Sequence, residues 1–143
     1  GDRAAAELAS RLVEIVYELA HRYGGRPVKL LGDGVMFHFP DPAEGVLCGL
    51  ELVDRIPRAG LPMARVGLHS GPVVFQNGDY FGRTVNVAAR ITDHARPGEV
   101  LVSDVVVTAT DDLPAVRYAA VGPVSLKGLA TPISLYAAVR AVT

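Results

Sequence analysis

The sequence predicts an α/β or α+β sandwich, with helices covering one face of a mainly antiparallel sheet. Three observations predict it. Amphipathic helical segments alternate with short stretches rich in Val, Leu and Ile. Asp33-Gly34 lies between two apolar runs, where residues that tolerate positive φ mark a hairpin, and Asn77-Gly78 turns the chain after a second extended stretch. The order reads α-β-β-α-β-(β)-α-β and then a β-rich tail. A βαββαβ domain would carry a strand ahead of the first helix. This chain opens directly in the helix.

Residues 2–23 form the first predicted helix, with Leu8, Leu12, Ile15 and Leu19 spaced by three and four. Glu7–Arg11 and Glu18–Arg22 stand four apart, acid first, on its wet side. Gly24-Gly25 ends it. A hairpin over 27–39 follows, with Asp33 at its tip. Lys29 alternates with Val28 and Leu30 and so leaves the other face of the strand. Asp41-Pro42-Ala43-Glu44 is a helix start, with an aspartate cap and proline at the first helical position. That helix carries Val46, Leu47, Leu50, Val53 and Ile56 and stops near Pro57 and Gly60.

Met63 to Ser70 is a predicted strand, broken by Gly71-Pro72. Val73 to Phe75 is extended, and Asn77-Gly78 turns the chain. Thr84 to His94 reads as a helix and Glu99 to Val102 as a strand. Ser103 is placed to cap a short helical turn over 104–109. The tail holds three strand candidates, Val116–Ala120, Val124–Leu126 and Ile133–Val139.

Composition bounds the function. The 143 residues are enough for one domain, 1–143, with a sizeable core. Half are hydrophobic and a fifth are charged, which excludes a disordered chain. Trp is absent, so the core is aliphatic. The net charge of −1, with no basic run, argues against nucleic-acid or membrane-surface binding. The single cysteine, Cys48, excludes an internal disulfide. No run approaches membrane-spanning length, so a cytoplasmic domain is expected, with any anchor elsewhere in a longer parent.

Phosphate-loop, Gly-x-Gly-x-x-Gly, Gly-x-Ser-x-Gly and His-Glu-x-x-His motifs are all absent. His69 and Ser70 would face opposite sides of a strand, and His69 reads as structural. The segment from Asp79 to Arg90 is more informative. Asn86 and Arg90 share a helix face among small apolar neighbours, an arrangement that suits a phosphate-bearing ligand. The same pattern also fits an ordinary solvated face. Asp79 follows Asn77-Gly78 in what reads as a loop. Lys127 stands before Gly128, where it reaches a phosphate or solvates a turn.

Taken together, Lys29-Leu30-Leu31-Gly32-Asp33-Gly34, Gly67-Leu68-His69-Ser70-Gly71-Pro72-Val73 and Asp79-Tyr80-Phe81-Gly82 leading into Thr84-Val85-Asn86-Val87-Ala88-Ala89-Arg90 resemble class III nucleotidyl cyclases. The likeness is to the soluble bacterial adenylate cyclases above all, and covers nearly the whole chain. It implies a ferredoxin-like βαββαβ-type domain that converts ATP to cyclic AMP and pyrophosphate. It implies that Asp33 helps to hold two Mg²⁺ or Mn²⁺ ions. Lys29 and Asp79 would read the adenine edge, since guanylate cyclases typically carry glutamate at the Lys29 position. Asn86 would orient the ribose, Arg90 would stabilise charge at the α-phosphate, and Lys127 would bind phosphate.

The resemblance further implies a head-to-tail homodimer with shared sites. The family's first metal aspartate lies on a strand upstream of the first helix, in a segment this chain does not contain. The expectation is therefore a fragment, inactive or nearly so alone, from an active parent. Arg83 also departs from many relatives, with no mechanism attached. The competing reading is a catalytically silent cyclase-like domain that binds nucleotide or dimerises. Joint presence of Lys29, Asp33, Asp79, Asn86 and Arg90 argues for the enzyme.

Overall fold

The computed structural model describes residues 1–31 and 34–142, apart from the side chains of residues 29–31 and 80. Helix α1 spans Asp2–Arg22 and ends where Gly24 takes a φ of 78°. Strands β1 (Arg26–Leu31) and β2 (Gly34–His38) pair antiparallel, with a register shift between Pro27 and Lys29. Helix α2 (Pro42–Arg58) starts as the sequence predicts, the Asp41 carboxylate accepting from the Ala43 amide at 3.0 Å. Val16 of α1 packs with Ile56 and Leu61, and Val35 and Phe37 of the hairpin close over them.

The main sheet has four strands in the order β3-β6-β8-β7. They are β3 (Val66–Leu68), β6 (Val100–Ser103), β7 (Val116–Val124) and β8 (Ile133–Arg140). The β3–β6 pair is parallel and the other pairs are antiparallel. Between β3 and β6 come the small hairpin β4 (Val74–Gln76) and β5 (Asp79–Phe81), then α3 (Arg83–His94). Asn77 and Gly78 both take positive φ, 55° and 77°, the geometry a two-residue hairpin turn requires. A short helix, α4 (Asp104–Ala109), follows β6.

Alternation along β6 sorts the layers. Val100 and Val102 point to α2 and α4, packing with Val46, Leu50 and Val106. Leu101 points the other way, into a second core with Val87 and Ile91 of α3, Leu126 and Leu135. The α+β class stands, with antiparallel pairing dominant, but the helices do not all share one face. Helix α2 and α4 lie on one side of the sheet and α3 on the other. The unbroken apolar run of β6 has both faces to bury, and one helix layer cannot cover both.

The expected strand Val116–Ala120 runs on to Val124, with a register shift between Ala120 and Gly122, and the expected strand Val124–Leu126 contributes only Val124 to it. Strand β7 lies at the sheet edge, where Pro123 costs no ladder hydrogen bond to a further neighbour. The expected strand Met63–Ser70 shortens to Val66–Leu68. Helix α2 ends at Arg58, between Pro57 in its last turn and Gly60, as expected. Among the described residues no helix is long and apolar enough to cross a membrane.

Candidate active site

Helix α3 carries the site because its sequence gives three faces separate work. Val87 and Ile91 are fully buried against the sheet. Asn86 and Arg90, four apart, share the adjoining face. Both line an open cleft of about 400 Å³ together with Ala89, Lys127, Gly128 and Leu129. The far wall is the connection between β7 and β8. Leu126, buried beside the exposed Lys127, packs on Val87 and Ile91, so both walls stand on one apolar base. Three of the residues singled out from the sequence thus converge, although Lys127 is 37 positions beyond Arg90.

The cleft is electropositive. Arg90 meets Asp93 at 3.5 Å, a long and solvent-exposed pairing that holds the guanidinium weakly. Lys127 adds a second cation and Asn86 a neutral amide able to donate and accept. Two cations beside an amide can hold a polyphosphate and orient a neighbouring hydroxyl-bearing group.

Asp79 is not in a loop, as its turn-like context suggests, but opens β5, paired with Gln76. It is half-buried, and β5 also lies against β1, the strand that carries Lys29. The Lys29 side chain and the whole of Asp33 lie outside the described residues, so their expected roles rest on the sequence. Among the described residues no group of three or more His, Cys, Asp or Glu side chains could hold a metal ion.

Sequence reasoning missed the connections that seat α3. The helix starts at Gly82, with no side-chain cap. Thr84 in its first turn instead donates its hydroxyl to the Pro72 carbonyl at 2.6 Å. Ser103 stands at the N-cap position of α4, as expected, but its side chain makes no capping hydrogen bond. Its hydroxyl lies 2.7 Å from His69 Nδ1, fully buried. The Gly67-x-x-x-Gly71 spacing was the available signal, since each glycine marks a close approach to α3.

Residues 6–138 match the family model of the adenylate and guanylate cyclase catalytic domain. The chain belongs to this family. It is 37% identical over 150 residues to a pH-sensitive adenylate cyclase of Mycobacterium tuberculosis, covering 100% of this chain and 38% of that protein. It is 38% identical over 135 residues to an uncharacterised protein of the same species, covering 92% of this chain and 35% of that one. The chain thus spans little more than a third of the length of these curated relatives.

Among solved structures, an adenylate/guanylate cyclase/hydrolase from Silicibacter pomeroyi superposes with a TM-score of 0.81 at 30% identity, covering 95% of this chain and 83% of that one. The adenylyl cyclase CyaB from P. aeruginosa gives 0.81 at 23% identity, over 98% and 84% of the two chains, a likeness of fold.

Proposed function

We propose that this domain converts ATP to 3′,5′-cyclic AMP and pyrophosphate, at sites shared between two copies arranged head to tail. The convergence of Asn86, Arg90 and Lys127 on one cleft carries the reading. Relatives named as adenylate cyclases support it at the level of reaction class.

In this reading the ribose 3′-hydroxyl attacks the α-phosphate in line and pyrophosphate leaves. Asn86 orients the ribose so that the hydroxyl faces the phosphorus. Arg90 neutralises charge as the α-phosphate becomes five-coordinate, and its fork suits two phosphate oxygens at once. Lys127 holds the departing phosphates. Lys29 and Asp79 select adenine, the lysine donating to a ring nitrogen and the carboxylate accepting from the exocyclic amine. Asp33 would hold Mg²⁺ or Mn²⁺, whose chemistry is to acidify the attacking hydroxyl and neutralise phosphate charge.

In this reading each copy divides its residues between two sites: Asp33 serves one, and Asn86, Arg90 and Asp79 the other. Exposed apolar side chains on the β4–β5 hairpin, Val74, Phe75 and Phe81, support burial against another chain.

The test is cyclic AMP formation from ATP by the full-length protein, with Asp33→Ala and Arg90→Ala variants. Each alone is expected to be inactive. A mixture that exchanges subunits should recover about a quarter of parental activity, since half the dimers carry one intact site of two. No recovery from demonstrably mixed dimers would sink the shared site. Full activity of Arg90→Ala would sink the assignment of the cleft.

A further inference from the structure

Helix α3 rests on backbone. Gly67 in β3 faces it so closely that a Cβ there would stand 2.4 Å from the Thr92 amide nitrogen and 2.8 Å from its Cα. Neither atom can move without moving the helix. At the other end, a Cβ on Gly71 would stand 2.7 Å from the Thr84 hydroxyl, the group that donates to Pro72. These contacts lie eight residues apart, roughly 12 Å along the axis. Asn86 and Arg90 fall between them.

The helix has three neighbouring faces. Thr84, Ala88 and Thr92 recur every four residues, and Thr84 and Thr92 lie on the glycines. Val87 and Ile91 form the buried seam. Asn86 and Arg90 lie beyond the seam, facing the cleft. A buried apolar seam resists separation from the sheet, but it does not by itself fix rotation about the helix axis. The hydrogen bond from Thr84 and the contact of Gly67 with Thr92 fix it, from the side opposite the cleft. The accepting carbonyl is held in turn, because His69, three residues before Pro72, is tied to Ser103 at the end of β6.

We propose that Thr84, Gly71 and Gly67 are positioning residues for the cyclase reaction: they set the roll of α3 about its seam, and so the aim of Asn86 and Arg90. The inference rests on the reading of those two residues given above. None of the three lines the cleft. Their effect falls on the transition state, where the Arg90 contact to the α-phosphate matters most.

The test uses the full-length protein with Thr84→Val, which removes the hydroxyl at similar volume, and Thr84→Ser, which keeps the hydroxyl and loses only the methyl. With turnover scaled to the folded fraction, Thr84→Val should lower kcat for ATP about ten- to hundredfold, the cost of a misplacement near 1 Å. KM should stay within about twofold and Thr84→Ser should restore kcat to within about threefold. Gly71→Ala should show the same loss in the parent, and almost none when added to Thr84→Ala, where no hydroxyl remains to be pushed. This cycle decides the matter if Thr84→Val does not fold.

Folded Thr84→Val with parental kcat, or Gly71→Ala and Thr84→Ala losses that simply multiply, would overturn the proposal. Arg90→Ala is assayed alongside. If it is inactive while Thr84→Val is unimpaired, the roll of α3 is not controlled this way and the cleft assignment survives. If Arg90→Ala is fully active, the cleft assignment itself fails, and this inference with it.

Discussion

His69 is the residue whose role local sequence hid most completely. It follows β3, and its partner Ser103 lies 34 positions away, so no periodicity connects them. Its pKa lies below the ordinary histidine value, first because it is buried and then because Arg83 stands near; Asp104 opposes them in part. The folded protein therefore prefers neutral His69. Stability from this group is full above the unfolded pKa of about 6.5, and is lost as pH falls from there through the lowered folded value. Thermal midpoints should fall between about pH 7.5 and about pH 5.5, and by less in His69→Asn. An equal fall in both would remove His69 as a source of acid sensitivity. Cys48 offers a simpler check. Burial, with Glu51 and Glu44 nearby, pushes its thiol up to about 11, so it holds its proton at neutral pH. Alkylation at neutral pH should therefore wait for unfolding, and mass spectrometry of timed samples measures that. The shift comes from burial first, with the Glu51 and Glu44 carboxylates of the same helix adding to it.

At the scale of elements, β6 and α3 carry the argument. Val100-Leu101-Val102 is a continuous apolar run, the mark of a strand covered on both sides. That mark was in the sequence, yet the expectation of one helix layer did not use it. Leu101 is 1% exposed and stands under both Val87 and Ile91. Leu101→Ala should cost about 2–5 kcal/mol in denaturant unfolding, with kcat reduced as well, because the cavity opens under the site helix. Loss confined to another part of the fold would contradict this packing. Element existence was otherwise read well: the caps and the glycine turns are local chemistry. Boundaries failed where tertiary pairing decided them. Edge placement let β7 run through Gly122 and Pro123, and pairing with β6 over Val100 to Val102 cut β3 to Val66–Leu68. The cleft was half legible. Spacing put Asn86 and Arg90 on one face; only the folding of Leu126 onto α3 brings Lys127 to join them.

For the whole molecule, the proposed shared site ties turnover to assembly. Cyclic AMP formed per mole of chain should drop on dilution below the dimer's dissociation constant and recover on concentration, while secondary structure stays unchanged. Turnover per chain that is flat across dilution into a state shown to be monomeric would place a complete site within one copy. A ligand that bridges Arg90 and Lys127 should also raise the melting midpoint, and an ATP analogue in a thermal shift assay measures this.

The position of β8 in the sheet has a consequence for how the chain is made. Strand β8 supplies Leu135 to one core and Ala138 to the other, and it is the antiparallel neighbour of β6. Strand β6 ends at Ser103 and leaves the ribosome well before that neighbour is complete at Arg140. Until Arg140 clears the exit tunnel, β6 has one edge unpaired and both cores lack a member. The domain therefore closes late in synthesis, almost all at once, and the unpaired β6 is the segment a nascent-chain chaperone would have most reason to cover.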